Sequence, residues 1–457
     1  MIHEINVPAY ILFGVAFFCR ISTFACSDRN MRIFQNLDSQ ETKTLKLHLF
    51  YSSIEGVAAG ALILTEFIFI KSLKGSNVQL AFLFQFSMVV FLFAMVANEI
   101  LRRYTNRKVL LRITAAVSKL PLVGLVFFPN VSEQGGLPVI YHTIFLTIFL
   151  LYFSSKIAVI PSINQYLKGN YKHENFGRLF GYSVTVQKVA MLASTFAAGL
   201  LLDWNPNSYK VFYPIVGILA IVSIFQLTKI KFVQKEEVIN TPLWRALMQS
   251  FSRIFHILKH NKAFRHLEMG FMIYGFAWMS THAVITIFYE RALHLNYSSV
   301  AFYKNAFNLI AIAFLPFFGR FIGRRDPRRF GIITFGSLLL FILFTALTET
   351  YNGYTEVYGI KIYYMLLVAV FFNGLFMGSM PILWGIGSSY FCKPDEAADY
   401  QSVHLFLTGV RALFAPIIGI QLYEWYGFSF TYAAGIVLLF FAILLMIYSE
   451  KRFPKNT

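Results

Sequence analysis

The sequence predicts an all-α membrane protein built as two similar halves, and three observations predict it. Only 14% of the 457 residues are charged and 57% are hydrophobic, whereas a soluble domain carries about 25% charged residues. Apolar runs of about twenty residues recur along the chain, long enough at helical rise to cross a hydrocarbon core of ~30 Å. Features of the first half return in the second at a constant offset. Backbone polar groups in lipid must bond within their own segment, so these runs are read as helices.

Twelve runs are read as spans. The first six are Leu47–Ile70, Val78–Leu101, Val109–Phe128, Pro138–Ile160, Leu179–Leu202 and Val211–Ile230. The second six are Leu267–Tyr289, Val300–Ile322, Phe330–Leu347, Ile362–Trp384, Val403–Tyr423 and Phe428–Tyr448. The net charge of +18 would suggest nucleic acid in a soluble chain. Here most Lys and Arg fall in alternate loops, as cytoplasmic loops require. Arg102, Arg103, Arg107 and Lys108 follow the second span, and Lys168, Lys172 and Arg178 the fourth. Arg320, Arg324, Arg325, Arg328 and Arg329 follow the eighth. Opposite loops carry Glu133, Asp203, Glu290, Glu349, Glu356 and Glu424. Both termini are thereby placed in the cytoplasm of a plasma or bacterial inner membrane. Anionic lipid is the expected partner at that face, and nucleic acid is not.

Five segments follow: an N-terminal piece (1–46), a six-helix half (47–230), a cytoplasmic linker (231–266), a second six-helix half (267–448) and a tail (449–457). Tyr10–Cys19 is apolar but too short to span, and no basic stretch precedes it. Within Tyr10–Phe24 an interfacial helix is favoured over part of an extra span through Phe24 or a start-site artefact, and a secretory signal is not expected. In the linker, Thr241-Pro242 gives an N-cap followed by proline at the first helical position. Trp244, Leu247, Met248, Phe251, Phe255 and Leu258 then recur at helical spacing, with Arg245, Arg253 and Lys259 between them. That is an amphipathic helix suited to a membrane surface. Lys259, Lys262 and Arg265 crowd His256, His260 and His266 with positive charge, so no metal is expected there. Cys19, Cys26 and Cys392 form neither metal-ligand nor disulfide spacing. No cofactor is expected, and the chain is read as a monomer.

Arg102, Arg107, Gly199, Trp204 and Tyr213 find counterparts in Arg324, Arg328, Gly419, Trp425 and Tyr432, each about 221 residues further on. One offset shared by separate regions is hard to obtain by chance. Spans one to six therefore repeat as seven to twelve. An even number of spans per half gives both halves one orientation, a parallel repeat about the membrane normal that transporters use.

With twelve spans, this repeat and a cytoplasmic linker, the chain after Lys46 resembles the major facilitator superfamily. The family's loop signature, Gly-x-x-x-Asp-Arg-x-Gly-Arg-[Arg/Lys], falls on Glu99 to Lys108, where Arg107 and Lys108 match. Glu99, Arg103 and Asn106 replace the first glycine, the aspartate and the second glycine. The second copy keeps Gly319, Arg324, Arg328 and Arg329, with Gly323 for the aspartate and one extra residue. The resemblance implies gating-loop candidates at Arg107, Lys108, Arg324, Arg328 and Arg329. It also implies a cavity lined by spans one, four, seven and ten, flanked by two, five, eight and eleven.

A charge at mid-membrane costs several kcal/mol unless paired or hydrated, so each is a functional candidate. Glu55 lies near the centre of span one beside Gly56 and Gly60, Lys188 in span five, His282 in span seven and Arg411 in span eleven. The resemblance puts all four on cavity-forming helices. For Lys188 and Arg411 two readings stay open, contact with solute or proton and neutralisation by Glu55 to fix packing. Lys119, beside Pro121 in span three, is read as structural, and Lys156 and Lys304 as snorkelling from near span ends. Asn305 and Asn308 in span eight, Gln187 in span five, and Asn373 in the glycine-interrupted span ten add polar contacts.

The expected function is secondary transport of a small solute by alternating access. Cations outnumber carboxylates at that depth, which favours an anionic or zwitterionic solute, and Glu55 is the proton-coupling candidate. One rival is a membrane-embedded lipid-modifying enzyme, which needs a His or carboxylate pair converging at one membrane face. Another is a facilitator-fold sensor or lipid translocase. His142, His282 and His404 lie in different spans, and no His-Glu-x-x-His or glycine-rich phosphate loop is present. An enzyme is not expected.

Overall fold

The computed structural model describes residues 37–104, 106–131, 137–231, 242–322, 326–393 and 396–454. The interfacial helix expected within Tyr10–Phe24, the cap at Thr241 and the gating candidate Arg324 lie outside them. Among the described residues, ten helical stretches have the length and apolar composition to cross a membrane. In chain order the helices are α1 (Ser39–Lys71), α2 (residues 77–103), α3 (Lys108–Phe127), α4 (Val139–Lys168), α5 (Glu174–Trp204) and α6 (Pro206–Leu227). A linker helix, Leu243–His260, leads to α7 (Lys262–Arg291), α8 (Tyr297–Phe321), α9 (Pro327–Thr350) and α10 (Tyr364–Gly385).

The remaining stretch, Ala397–Arg452, has 56 residues, about 84 Å at helical rise, far more than one crossing needs. It breaks at Gly427, whose φ of 80° and ψ of −174° are open to glycine and to little else. The break gives α11 (residues 397–426) and α12 (residues 428–452). The apolar part of α2, Asn77–Phe93, is shorter than the ten and tightens to a 3₁₀ turn over Val90–Phe93. In α3 the stretch Leu120–Phe127, containing Pro121, is also 3₁₀. α4 is interrupted at Ser155, between helices Val139–Ser154 and Lys156–Lys168, with Pro161 in the second. Lys156 therefore sits in the middle of a 30-residue stretch. The expectation that it snorkels from a span end does not hold.

Glycine sets the helix pairing. A Cβ on Gly56 would collide with the Gln187 carbonyl, and one on Gly60 with the Met191 carbonyl, so these glycines let α1 close on α5. Ser194 Oγ donates to the Val57 carbonyl at 2.8 Å across the same contact. After the linker, Gly419 of α11 meets the Ser280 carbonyl of α7 in the same way. α1 pairs with α5 as α7 pairs with α11, with the close-packed glycine on α1 in the first pair and on α11 in the second. Between the segments before and after the linker, the first and second halves below, Gly199 of α5 lies against Tyr297, Ser298 and Ala301 of α8. Gly409 of α11 lies against Leu92 of α2.

Two local features depart from the expectation. Between α9 and α10 an antiparallel hairpin, β1 (Tyr354–Val357) and β2 (Ile360–Tyr363), interrupts the helical pattern. Its turn residues Tyr358 and Gly359 both have positive φ, 50° and 76°, as two-residue hairpins of right-handed twist prefer. Asn296 Nδ2 donates to the Gly359 carbonyl at 2.8 Å, and Tyr303 OH to the Lys361 carbonyl at 2.9 Å, fixing the hairpin to the start of α8. The linker helix forms as its periodicity predicts, but Ile254 and Ile257 face the bundle. Trp244, Met248, Phe251 and Phe255 form an exposed stripe, with Trp244 71% and Phe255 68% accessible. Below, the two ends of the bundle are the linker end and the hairpin end.

Candidate functional site

The break in α4 opens a cavity of about 330 Å³ between α1, α3, α4 and α5. Tyr51, Ser52, Glu55 and Ala59 of α1 line it, at the three- and four-residue spacing of one helix face. Lys119 of α3, Lys156 of α4 and Gln187 of α5 complete a polar wall. Lys119 is 4% exposed, and its Nζ stands 4.4 Å from the centre of the Tyr152 ring. Lys156 Nζ stands 4.7 Å from that of Phe153. Ammonium groups gain cation–π energy in such positions, but a ring accepts no ordinary hydrogen bond. Among the described residues, Glu55, Lys119 and Lys156 have no hydrogen bond or ion pair, although Glu55 acts electrostatically on both lysines. Toward the linker end, His48 Nδ1 lies 3.2 Å from Tyr171 OH. Burial, with Glu41 nearby, pushes the Tyr171 hydroxyl above its ordinary pKa, so it keeps its proton.

This grouping differs from the one expected. Lys119, read from sequence as structural, shares the chamber with Glu55. Lys188 is half-buried on α5 and makes no ion pair with Glu55. Arg411 lies in the second half, 2% exposed, with its guanidinium against Gly275 where a Cβ would collide. Its Nη1 donates to the Phe271 carbonyl and its plane lies 5.3 Å from the Tyr274 ring, while Nε has no partner. Neighbouring it is a pair that sequence reasoning missed, His404 Nδ1 and Glu268 Oε2 at 3.1 Å, both 2% exposed. Glu268 stands at the edge of an apolar run, where hydropathy gives a charge no meaning.

A second charged cluster lies on the seam between the halves. His282 Nε2 of α7 is 3.8 Å from Glu66 Oε2 of α1, and Thr286 Oγ1 donates to the same oxygen at 3.3 Å. The His282 ring stacks on Phe84 of α2 at 4.7 Å. Lys304 of α8 acts electrostatically on Glu66, so this lysine is also drawn into the bundle. Asn305 Nδ2 donates to the Leu192 carbonyl of α5 at 2.9 Å, a tie between halves, whereas Asn308 donates to the Lys304 carbonyl of its own helix at 2.7 Å. Asn373 is half-buried on α10.

Of the gating-loop candidates, Arg107 opens the helix Arg107–Lys119, whose first turn is capped by Asn106, and Lys108 is exposed. Arg328 is buried, donating to Asp326 at 2.7 Å and to the Ser449 and Phe453 carbonyls at 2.7 and 2.9 Å. It fastens the start of α9 to the end of α12. Arg329 pairs with Glu450 beside it.

Among the described residues, most polar ties between the halves lie at the hairpin end. The Asp203 carboxylate at the end of α5 accepts the backbone N–H groups of Tyr297 and Ser298, the first turn of α8, at 2.7 and 2.8 Å. Asn77 at the start of α2 donates to Glu424 at the end of α11 at 2.8 Å, and Arg291 donates to Asn77 at 2.9 Å. Lys71 donates to the Leu295 carbonyl, and the hydroxyls of Ser72 and Tyr297 bond each other. Asp203 and Glu424 are 221 positions apart in the chain (424−203), so equivalent points of the repeat reach across in opposite directions.

Two bundles of like pairing, joined by polar ties at the hairpin end and charged along the seam, have the fold of a secondary transporter, a multi-pass membrane protein rather than an enzyme. The chain belongs to the Major Facilitator Superfamily, whose family model matches residues 49–360. Among solved structures it is similar to the nucleoside transporter NupG, with 12% identity, a TM-score of 0.64, and coverage of 92% of this chain and 100% of that one. The xylose transporter XylE from E. coli is 12% identical with a TM-score of 0.57, covering 87% and 94%. A bacterial homolog of the human lysosomal transporter Spinster is 13% identical with a TM-score of 0.57, covering 92% and 99%. At these identities the likeness is one of fold. No curated protein matches the sequence.

Proposed function

We propose that the chain carries a small anionic or zwitterionic solute across a membrane by alternating access, with twelve crossings and two halves, 47–230 and 267–448, that rock against each other. Closure of the hairpin end carries this reading: the ties of Asp203, Lys71, Ser72 and Asn77 join the halves there. Ties of this kind must break and re-form elsewhere as access alternates. The linker end is the cytoplasmic one, because the basic loops lie there. The chamber supports an anionic group on the solute, since two lysines face one carboxylate in it.

Coupling is assigned to Glu55, the carboxylate that lines the chamber. Structural neighbours include a D-xylose–proton symporter and proton-dependent oligopeptide transporters, which favours a proton as the coupling ion. The lipid-modifying alternative would draw on the Glu268–His404 pair. Both of its side chains are buried, walled by Phe271 and Trp384, which leaves no opening for a lipid. At the linker end, the exposed stripe of the linker helix and its flanking Arg245 and Lys259 suit an anionic membrane surface.

Purified protein in liposomes tests the reading with a panel of labelled organic anions and zwitterions under an imposed pH gradient. Wild type should accumulate at least one of them against its gradient. Glu55→Gln should abolish that accumulation while exchange without a gradient survives. Accumulation and pH dependence unchanged in Glu55→Gln would remove the coupling role.

A further inference from the structure

We propose that the chamber between α1, α3, α4 and α5 binds a solute carrying two negative charges and one protonated amine, with net charge −1. The inference rests on the transporter reading and names the solute class for it. Three charged side chains from three helices face one space of about 330 Å³, and none has an ion-pair partner among the described residues. Lys119 is the sharpest case, 4% exposed, with a Tyr152 ring on one side, its ammonium facing the chamber, and no hydrogen bond or ion pair among the described residues. A buried charge without a partner is costly, and breaking such a pair by removing one member is among the costliest changes a core can suffer. The partner that Lys119 lacks in the protein is therefore supplied by what enters the chamber.

The same argument applies to Lys156, set into the chamber by the break of α4 at Ser155, and in the opposite sense to Glu55. Two ammonium groups ask for two negative charges, and one carboxylate asks for a cation. The three groups sum to +1, and a solute of charge −1 balances them. Ser52, Ser155 and Gln187 add uncharged hydrogen-bond partners. The volume is near the small end of ligand pockets, which run from about 300 Å³, and favours a compact solute over one with a lipid chain. Every lining residue belongs to the first half, so the solute travels with one half as the other rocks. Two chemistries share this charge pattern: two carboxylates with an amine, or a phosphate dianion with an amine.

Full-length protein in nanodiscs separates these possibilities by calorimetric binding and thermal shift. Glutamate and phosphoethanolamine are the two amine-bearing probes, succinate is the probe without an amine, and xylose is the neutral probe. Wild type should bind one amine-bearing probe at least tenfold more tightly than succinate, and xylose not at all. Glu55→Gln removes the partner of the amine and should bring succinate level with, or ahead of, the amine-bearing probe. Glu55→Asp keeps the charge and should keep the original order. Lys119→Met should weaken the preferred probe by a hundredfold or more while its own unliganded melting temperature reports that it folds. Equal binding of succinate by wild type, an unchanged order in Glu55→Gln, or no binding of either amine-bearing probe would overturn the assignment. Binding in the predicted order without flux in vesicles would instead sink the transport reading and leave the solute class standing.

Discussion

The tie at Asp203 gives the most direct handle on how the halves are held. Replacing it with Ala removes two hydrogen bonds, at 2.7 and 2.8 Å, from the first-turn amides of α8 to a carboxylate. Bonds to a charged group contribute about 1.5–3 kcal/mol each, and the helix terminus adds a favourable field for a negative charge. Asp203 is exposed, so water will replace part of the loss, and ~1 kcal/mol per bond is the better figure for a solvated carboxylate. The sum of about 2 kcal/mol corresponds to roughly a thirtyfold shift, at about 1.4 kcal/mol per tenfold, toward opening of the hairpin end. Asp203→Asn keeps one acceptor oxygen and should give about a fivefold shift. Spin labels at Phe127 in the first half and Tyr358 in the second, both strongly exposed, read the separation across that end by pulsed electron resonance. The longer-distance population should grow in the order wild type, Asn, Ala. A distance distribution identical to wild type in Asp203→Ala, in protein with an unchanged melting temperature, would refute the argument.

Three further outcomes follow from packing. Gly275→Ala places a methyl on the Arg411 guanidinium and should lower stability by about 1–3 kcal/mol, as overpacking does; an unchanged melting temperature would mean that Arg411 does not lie there. His404→Ala leaves Glu268 buried without its partner and should cost about 3–5 kcal/mol, with Glu268→Gln in the same background recovering part of the loss, and no recovery would exclude the pair as the cause. A spin label at Met248, on the exposed stripe of the linker helix, should collide more with oxygen than with a water-soluble nickel chelate in vesicles of anionic lipid. The reverse preference would place that face in water.

The repeat was legible because close packing writes itself in residue type. Gly199 and Gly419, which carry the offset, stand where a side chain would crowd a neighbouring helix, and small residues of this kind mark helix contacts in any membrane bundle. Charge partners were not legible, because hydropathy is a property of one helix and an ion's environment is a property of several. Lys156 was measured from a boundary at Ile160, whereas α4 runs on past Pro161 to Lys168. That error in one helix end moved a mid-membrane lysine to the rim. Glu66 and Glu268 were lost for the same reason, each within a turn or so of an assumed boundary. In the linker helix, periodicity found an apolar face, but which apolar residues turn inward depended on the bundle surface that receives Ile254 and Ile257. The hairpin gave no local signal stronger than its neighbours, since two four-residue strands hold their shape through Asn296 and Tyr303, residues far away in sequence.

The hairpin also has a practical side. Its bonds run to Leu293, His294, Asn296, Ser299 and Tyr303, all in the second half, and its tip residue Tyr358 is fully accessible. A binder raised against the tip would ride on one half without bridging to the other. Such a handle could add mass for single-particle imaging, or carry a fluorophore, while the halves stay free to move. A peptide tag inserted between Tyr358 and Gly359 would be the simpler version, lengthening a turn that faces outward and leaving the strand register to the anchors beneath it.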